Sequence, residues 1–251
     1  MKKIFTVLLV FGMLLSLTAC GATSAAAPQS AQESTAQTPA PTEERAVETS
    51  VPEAEAAAHY LNALYYDENN ALVTIDHYDA RGHILGDEVY ENGTLTTYEE
   101  FRTTENFSFE IPELTDNADV VSTEYAELYV RGADEADFHS SGMVFVFGYD
   151  AADHMRMAKV FALSEDGAIL FSYVIYYQLD EHGNFTGWTH MTESGEVLFE
   201  MQAELTYDGD QVTDGNYYYT RYGSIVYADD QYQYQKQDEA TGYTLHLVFE
   251  Y

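Results

Sequence analysis

The chain has 251 residues, with 43 Asp and Glu against 10 Lys and Arg, a formal charge of −33. Its single cysteine excludes an intramolecular disulfide. The negative field argues against nucleic acid and against unaided binding to anionic lipid, because both need a basic patch.

Lys2 and Lys3 precede a nearly all-apolar run from Ile4 to Leu17. That run is too short to span a bilayer comfortably, and its layout is that of an export signal over residues 1–19. It ends Leu17-Thr18-Ala19-Cys20, which resembles the lipobox of bacterial lipoproteins. The resemblance implies cleavage before Cys20 and a diacylglycerol thioether on its sulfur, with palmitate-like chains as the anchor. Several acyl chains on one residue hold a protein on a membrane where one chain does not. Gly21 stands where an inner-membrane retention signal would place Asp. The implied location is the outward face of a bacterial membrane, the outer membrane in a Gram-negative cell. The alternative is an ordinary signal peptide with an accidental cysteine.

Residues 20–58 are rich in Ala, Thr, Ser, Gln, Glu and Pro, hold Pro28, Pro39, Pro41 and Pro52, and contain no aromatic residue. Such a segment buries too little apolar surface to offset its conformational entropy, so it reads as a disordered linker. As flexible coil it spans roughly 35 Å. A helix over Pro52–Tyr65 is the alternative, since Ala57, Tyr60, Leu61, Leu64 and Tyr65 have helical spacing.

Residues 59–251 hold all 22 tyrosines and only one proline, Pro112. The pairs Tyr66-Asp67, Tyr78-Asp79 and Tyr90-Glu91 recur every 12 residues, with Asn70, Gly82 and Gly93 nearby. A second series runs Leu163/Gly167, Leu179/Gly183, Met191/Gly195 and Tyr219/Gly223, with Tyr207-Asp208 between. Glycine supplies the positive φ of tight turns, so this period predicts short strands joined by hairpins. The stretches between turns alternate. Phe171, Tyr173, Ile175, Tyr177 and Leu179 share one face. So do Val197, Phe199, Met201, Ala203, Leu205 and Tyr207, and at the C-terminus Tyr243, Leu245, Leu247, Phe249 and Tyr251. Period 2 with one polar face predicts antiparallel strands wetted on one side. The fold class is therefore mainly β: a meander of hairpin repeats, curled on itself or capped by a second sheet. Residues 103–136 break the period, as a sub-boundary or as a hairpin of Phe107–Ile111 with Tyr125–Val130. The final strand, Tyr243–Tyr251, is low in charge and is a candidate exposed edge for pairing with another chain.

Tyr177-Gln-Leu-Asp180-Glu-His-Gly183-Asn184, then Gly195 and Tyr207-Asp208, resembles the bacterial YD (RHS-type) repeat, as does Tyr78-Asp79-Ala-Arg-Gly82-His-Ile84. In that family the repeats form β-hairpin strips that coil into shells, far larger than this chain can build. The likeness implies an architecture and no activity. Asp214-Gly215-Asn216-Tyr217-Tyr218 followed by Gly223-Ser-Ile-Val226 is similar to choline-type cell-wall-binding repeats. Those hold quaternary ammonium in aromatic cages, usually with several tryptophans, and this chain has only Trp188.

The eight histidines are scattered, with neither a His-x-x-x-His helix pattern nor a Cys/His cluster, so zinc has no support. No Gly-x-Ser-x-Gly elbow and no Gly-rich phosphate loop occurs. Nothing singles out a carboxylate pair among the 37 acids of residues 59–251. Asp208, Asp210, Asp214 and Asn216 place four hard oxygen donors in one short stretch, a candidate Ca²⁺ site or ordinary turn residues. Tyrosines crowd residues 217–234. Trp188, Tyr217, Tyr219, Tyr232 and Tyr234 are the candidate ligand or partner surface, or else cross-strand ladders that stiffen the sheet.

The expected function is a membrane-tethered envelope lipoprotein, a non-catalytic binding or display module presenting an acidic, tyrosine-rich sheet to a cell-wall glycan or an envelope protein. An envelope polysaccharide hydrolase with a carboxylate pair is the alternative. A solute-binding transport component comes third.

Overall fold

The computed structural model describes residues 59–103 and 119–251. The export signal, Cys20, the linker and Phe107–Ile111 lie outside the described residues. Twelve strands follow one another with no helix among the described residues. They are β1 (Asn62–Tyr66), β2 (Leu72–Tyr78), β3 (Ile84–Glu91), β4 (Thr94–Thr103), β5 (Ser122–Gly132) and β6 (His139–Tyr149). Then come β7 (Met155–Leu163), β8 (Ile169–Leu179), β9 (Phe185–Thr192), β10 (Val197–Asp208), β11 (Gln211–Ala228) and β12 (Gln231–Glu250). Each strand pairs antiparallel with its sequence neighbours, and β1 pairs with β12, Asn62 opposite Glu250 through Tyr66 opposite His246.

The sheet is thus a closed barrel, which corrects the expected curled or two-layered meander. Two physical causes favour closure. An open sheet of this size would leave two unpaired edges and an apolar face with nothing to cover it. The turns also supply twist. Asp67, Asp79, Asp150 and Asp180 each accept the backbone N–H groups two and four residues on, at 2.8–3.0 Å. The residue three positions on has positive φ: Asn70, Gly82, Asp153 and Gly183. Ser164 and Thr192 use their hydroxyls in the same way. These are three-residue hairpin loops ending in a bulge, and ladder shifts beside Tyr66, Tyr78, Tyr149 and Leu179 mark the bulges. Repeated bulges coil a sheet toward closure. The recurring Asp therefore caps a turn, while Tyr78 and Tyr149 before it fill the interior.

The inward faces foreseen on β8, β10 and β12 are correct in phase: Tyr173, Ile175, Tyr177, Phe199, Met201, Leu245, Leu247 and Phe249 are buried in one core. On β6 and β7 the outer positions Val144, Val146, Met157 and Phe161 are buried too, so Met143–Phe147 and Val160–Ala162 read as continuous apolar runs. Three local expectations change. Leu64 and Tyr65 lie in β1, not in a helix. Tyr125–Val130 belongs to β5, between β4 and β6. Gly223 sits in the middle of β11 and marks no turn.

Candidate functional site

The barrel interior is aromatic, but three carboxyl groups enter it side by side. Asp76 on β2 lies opposite Asp87 on β3, which lies opposite Glu99 on β4. All three are buried, Asp76 completely. Asp76 accepts hydrogen bonds from the hydroxyls of Tyr65 at 2.7 Å and Tyr78 at 3.2 Å. Its other oxygen has no partner, nor does one oxygen each of Asp87 and Glu99, nor the hydroxyl of Thr74. Burial pushes Asp76 up to about 7, against the two tyrosine hydrogen bonds. Burial and the neighbouring Asp76 charge push Asp87 up to about 8. Burial, the Asp87 charge and a hydrogen bond with Asp87 raise Glu99 well above the carboxylate range. Like charges this close, away from water, hold protons instead of ionising together.

Next to the row, Tyr65, Tyr78, Tyr177, Trp188, Met201 and Tyr217 line a void of about 10 Å³, close to one water molecule. Further along the interior, His190 is fully buried between Tyr173, 5.6 Å away, and Trp188, 4.4 Å away. Neither of its ring nitrogens has a hydrogen-bond partner. Burial pushes it down to about 3, so it stays neutral.

One barrel end gathers a second group around the turn after β2. His83 stacks on Tyr149 at 4.1 Å. Its ring nitrogens stand 3.5 Å from Glu124 and 3.3 Å from Asp153. Arg81 donates to Asp79 through Nε at 3.0 Å and Nη2 at 2.9 Å. Burial works the other way, yet the N–H donors of His83 and Arg81 hold Asp79 below the usual carboxylate range. These contacts brace the turn.

The calcium candidates do not converge. Asp208 pairs with Gln211 at the hairpin turn that contains Asp210, whereas Asp214 and Asn216 lie further along β11, opposite Thr206 and Glu204. Asp214 instead sits 3.3 Å from His246. Of this stretch only residues 209 and 210 form the turn, and the rest is strand. No group of three or more His, Cys, Asp or Glu able to hold a metal occurs among the described residues.

The aromatic candidates divide. Trp188, Tyr217 and Tyr219 are 3 %, 3 % and 1 % exposed and belong to the core, so they offer no outer surface. Tyr219 stacks on its cross-strand partner Tyr243 at 4.8 Å, in keeping with a ladder. Tyr232 and Tyr234 are half-buried, against Phe171 at 4.9 Å and the Val197 carbonyl at 3.2 Å. The outward tyrosines are others, and they bind acids. Tyr90 donates to Glu88 at 2.6 Å, Tyr218 to Glu204 at 2.9 Å and Tyr222 to Glu200 at 2.8 Å. Arg102 and Arg131 lie 4.1 Å over Tyr129 and Tyr98.

Sequence reading missed the interior carboxyls and His190. The signal was strand parity. Asp76 stands two residues before an inward turn tyrosine, and His190 stands two after Trp188.

No family model matches the chain, and no curated protein matches it. Among solved structures it is similar to one described as the crystal structure of TcdB2-TccC3-TEV. The identity is 11% and the TM-score 0.13, over 73% of this chain and 14% of that one. This chain therefore spans about a seventh of that chain's length.

Proposed function

We propose that the protein is a membrane-tethered envelope lipoprotein, anchored by diacylglycerol on Cys20, whose barrel is a non-catalytic binding or display module. The observation that carries the reading is the burial of the adjacent acids Asp76, Asp87 and Glu99 inside the barrel, which leaves the outer wall to meet partners. That wall carries the Tyr–Glu pairs at Tyr90, Tyr218 and Tyr222. Outward charges at Glu88, Glu100, Glu200 and Glu204 suit water and oppose a lipid-facing band. A cell-wall glycan or an envelope protein is the partner class, and the acidic wall favours one with cationic groups.

A specific observation favours the hydrolase as second reading: Asp87 and Glu99 are adjacent, and both are raised. Glycoside cleavage also needs a cleft open to the sugar and to water, and these carboxyls have neither. Incubation of the full chain with purified wall polysaccharide separates the two readings. The expected result is retention of chain on the polymer with no reducing ends released. Release that disappears in Asp87→Asn would establish the hydrolase and overturn the display reading.

A further inference from the structure

β11 and β12 run on beyond the barrel wall. β10 pairs with β11 only as far as Arg221, and β1 pairs with β12 only from His246. From Gly223 to Lys236 the two strands pair only with each other. A two-residue turn closes this arm, with Asp229 and Asp230 both at positive φ. The arm is held down. Tyr232 packs on Phe171, and the Tyr234 hydroxyl donates to the Val197 carbonyl. Ile225 is buried beneath it. Gly223 has no side chain because a Cβ would clash with the Tyr234 ring.

Across the arm Ile225 and its partner Tyr234 face the barrel, while Val226 and its partner Gln233 face away. On the β12 side Gln231, Gln233, Gln235 and Lys236 are exposed, and no described strand pairs with residues 231–244 there. In a two-residue hairpin the pair flanking the turn, Ala228 and Gln231, exchanges hydrogen bonds, and bonded pairs then alternate along the ladder. Tyr232, Tyr234 and Lys236 therefore direct their N–H and C=O groups outward. The usual protections of such an edge are missing, for residues 231–237 contain no proline and one charge.

We propose that this edge of β12 pairs with the same edge of a second copy of the chain. Charge decides the occupant. Two molecules at −33 repel over most of their surface, but residues 231–237 carry only Lys236. Antiparallel pairing centred on Gln233 places Lys236 opposite Asp230 of the partner subunit. The two-fold axis repeats that contact and closes the assembly at two. The result is a four-stranded sheet shared by two barrels, its register set by two ion pairs.

Sedimentation of the full chain over micromolar to millimolar concentration tests this. A reversible monomer–dimer equilibrium is expected. Gln233→Glu and Gln233→Lys each set like charges face to face on the axis, which weakens the dimer several-fold. Both leave the melt unchanged, because Gln233 is exposed. An equimolar mixture of the two variants regains the dimer, as Glu meets Lys. A chain that stays monomeric throughout overturns the proposal. So does a dimer indifferent to both substitutions, or a mixture no tighter than its components. Lys236→Pro removes an outward N–H without touching the β11 ladder, and it must abolish pairing.

Discussion

Raising the pH from 6.5 to 8 should destabilise this barrel. Asp76 and Asp87 ionise at about 7 and about 8 in the fold, against the ordinary carboxylate value near 4 in the unfolded chain. The folded state thus binds protons that the unfolded state has lost, so stability falls as pH rises through the folded values. Together the two carboxyls lose on the order of 2–3 kcal/mol over this window, which corresponds to roughly 5–10 °C in Tm for a domain of this size. Glu99 is raised as well and adds in the same direction. The window matters because His190 has the opposite sign. It is neutral in the fold down to about 3, so between that pH and its ordinary value near 6.5 the unfolded state binds the extra proton and stability rises with pH. Above 6.5 only about 0.4 kcal/mol of that contribution remains, and the carboxyl row dominates. The assay is urea unfolding followed by Trp188, the sole tryptophan, which is buried. High salt screens the general repulsion of a −33 chain but not a buried row. Asp87→Asn should shrink the fall to about 1 kcal/mol. Stability that is flat or rising across the window would refute the reasoning, and so would an Asn variant with the parent slope.

Other outcomes follow from single contacts. Gly86→Ala drives a Cβ into the Glu99 backbone carbonyl, separating β3 from β4 at a cost of about 3 kcal/mol or more, read as a lower urea midpoint. Gly223→Ala dislodges Tyr234 from the arm, and limited proteolysis should then cut within residues 223–236 while the barrel persists. Asp150→Ala leaves the N–H groups of Ala152 and His154 and the Arg156 guanidinium without their acceptor, lowering stability by about 1–3 kcal/mol in a thermal melt. Millimolar calcium and chelator should give the same Tm, since the four oxygen donors do not converge. A calcium shift that vanishes in Asp208→Ala and Asp210→Ala would reinstate the site.

Much of the fold was legible because turn chemistry and strand parity are local. Asp67, Asp79, Asp150 and Asp180 announce their own loops, as each side chain caps the next two free N–H groups. Closure was not legible, because it depends on a contact between residues 62–66 and 246–250 that no local pattern encodes. Twist accumulates over twelve strands, and a small change per bulge decides between an open strip and a barrel. The arm was hidden for a related reason: the alternation of Tyr232 and Tyr234 with glutamines is the same on an arm as in a wall.

The site shows how much rests on one residue of phase. In the run Tyr217-Tyr218-Tyr219, composition alone offers three equivalent rings. Ala203 and Met201, opposite Tyr217 and Tyr219, mark the parity that sends 217 and 219 inward and leaves 218 outside, where its hydroxyl meets Glu204. A shift of one would exchange core and display surface. The acids obey the same rule with larger consequences. Most acids among the described residues are exposed or half-exposed and cost little. The three at inward positions, Asp76, Asp87 and Glu99, cannot all ionise there. Nothing in their residue type separates them from the rest; position on the strand does. A chain so acidic has few positions to spare, yet these three fall opposite one another on adjacent strands. Side by side, Glu99 can hydrogen-bond to Asp87, and the tyrosine hydroxyls can serve Asp76. Dispersed singly, each acid would be a buried polar group without a partner, a costlier arrangement than a row that shares its protons.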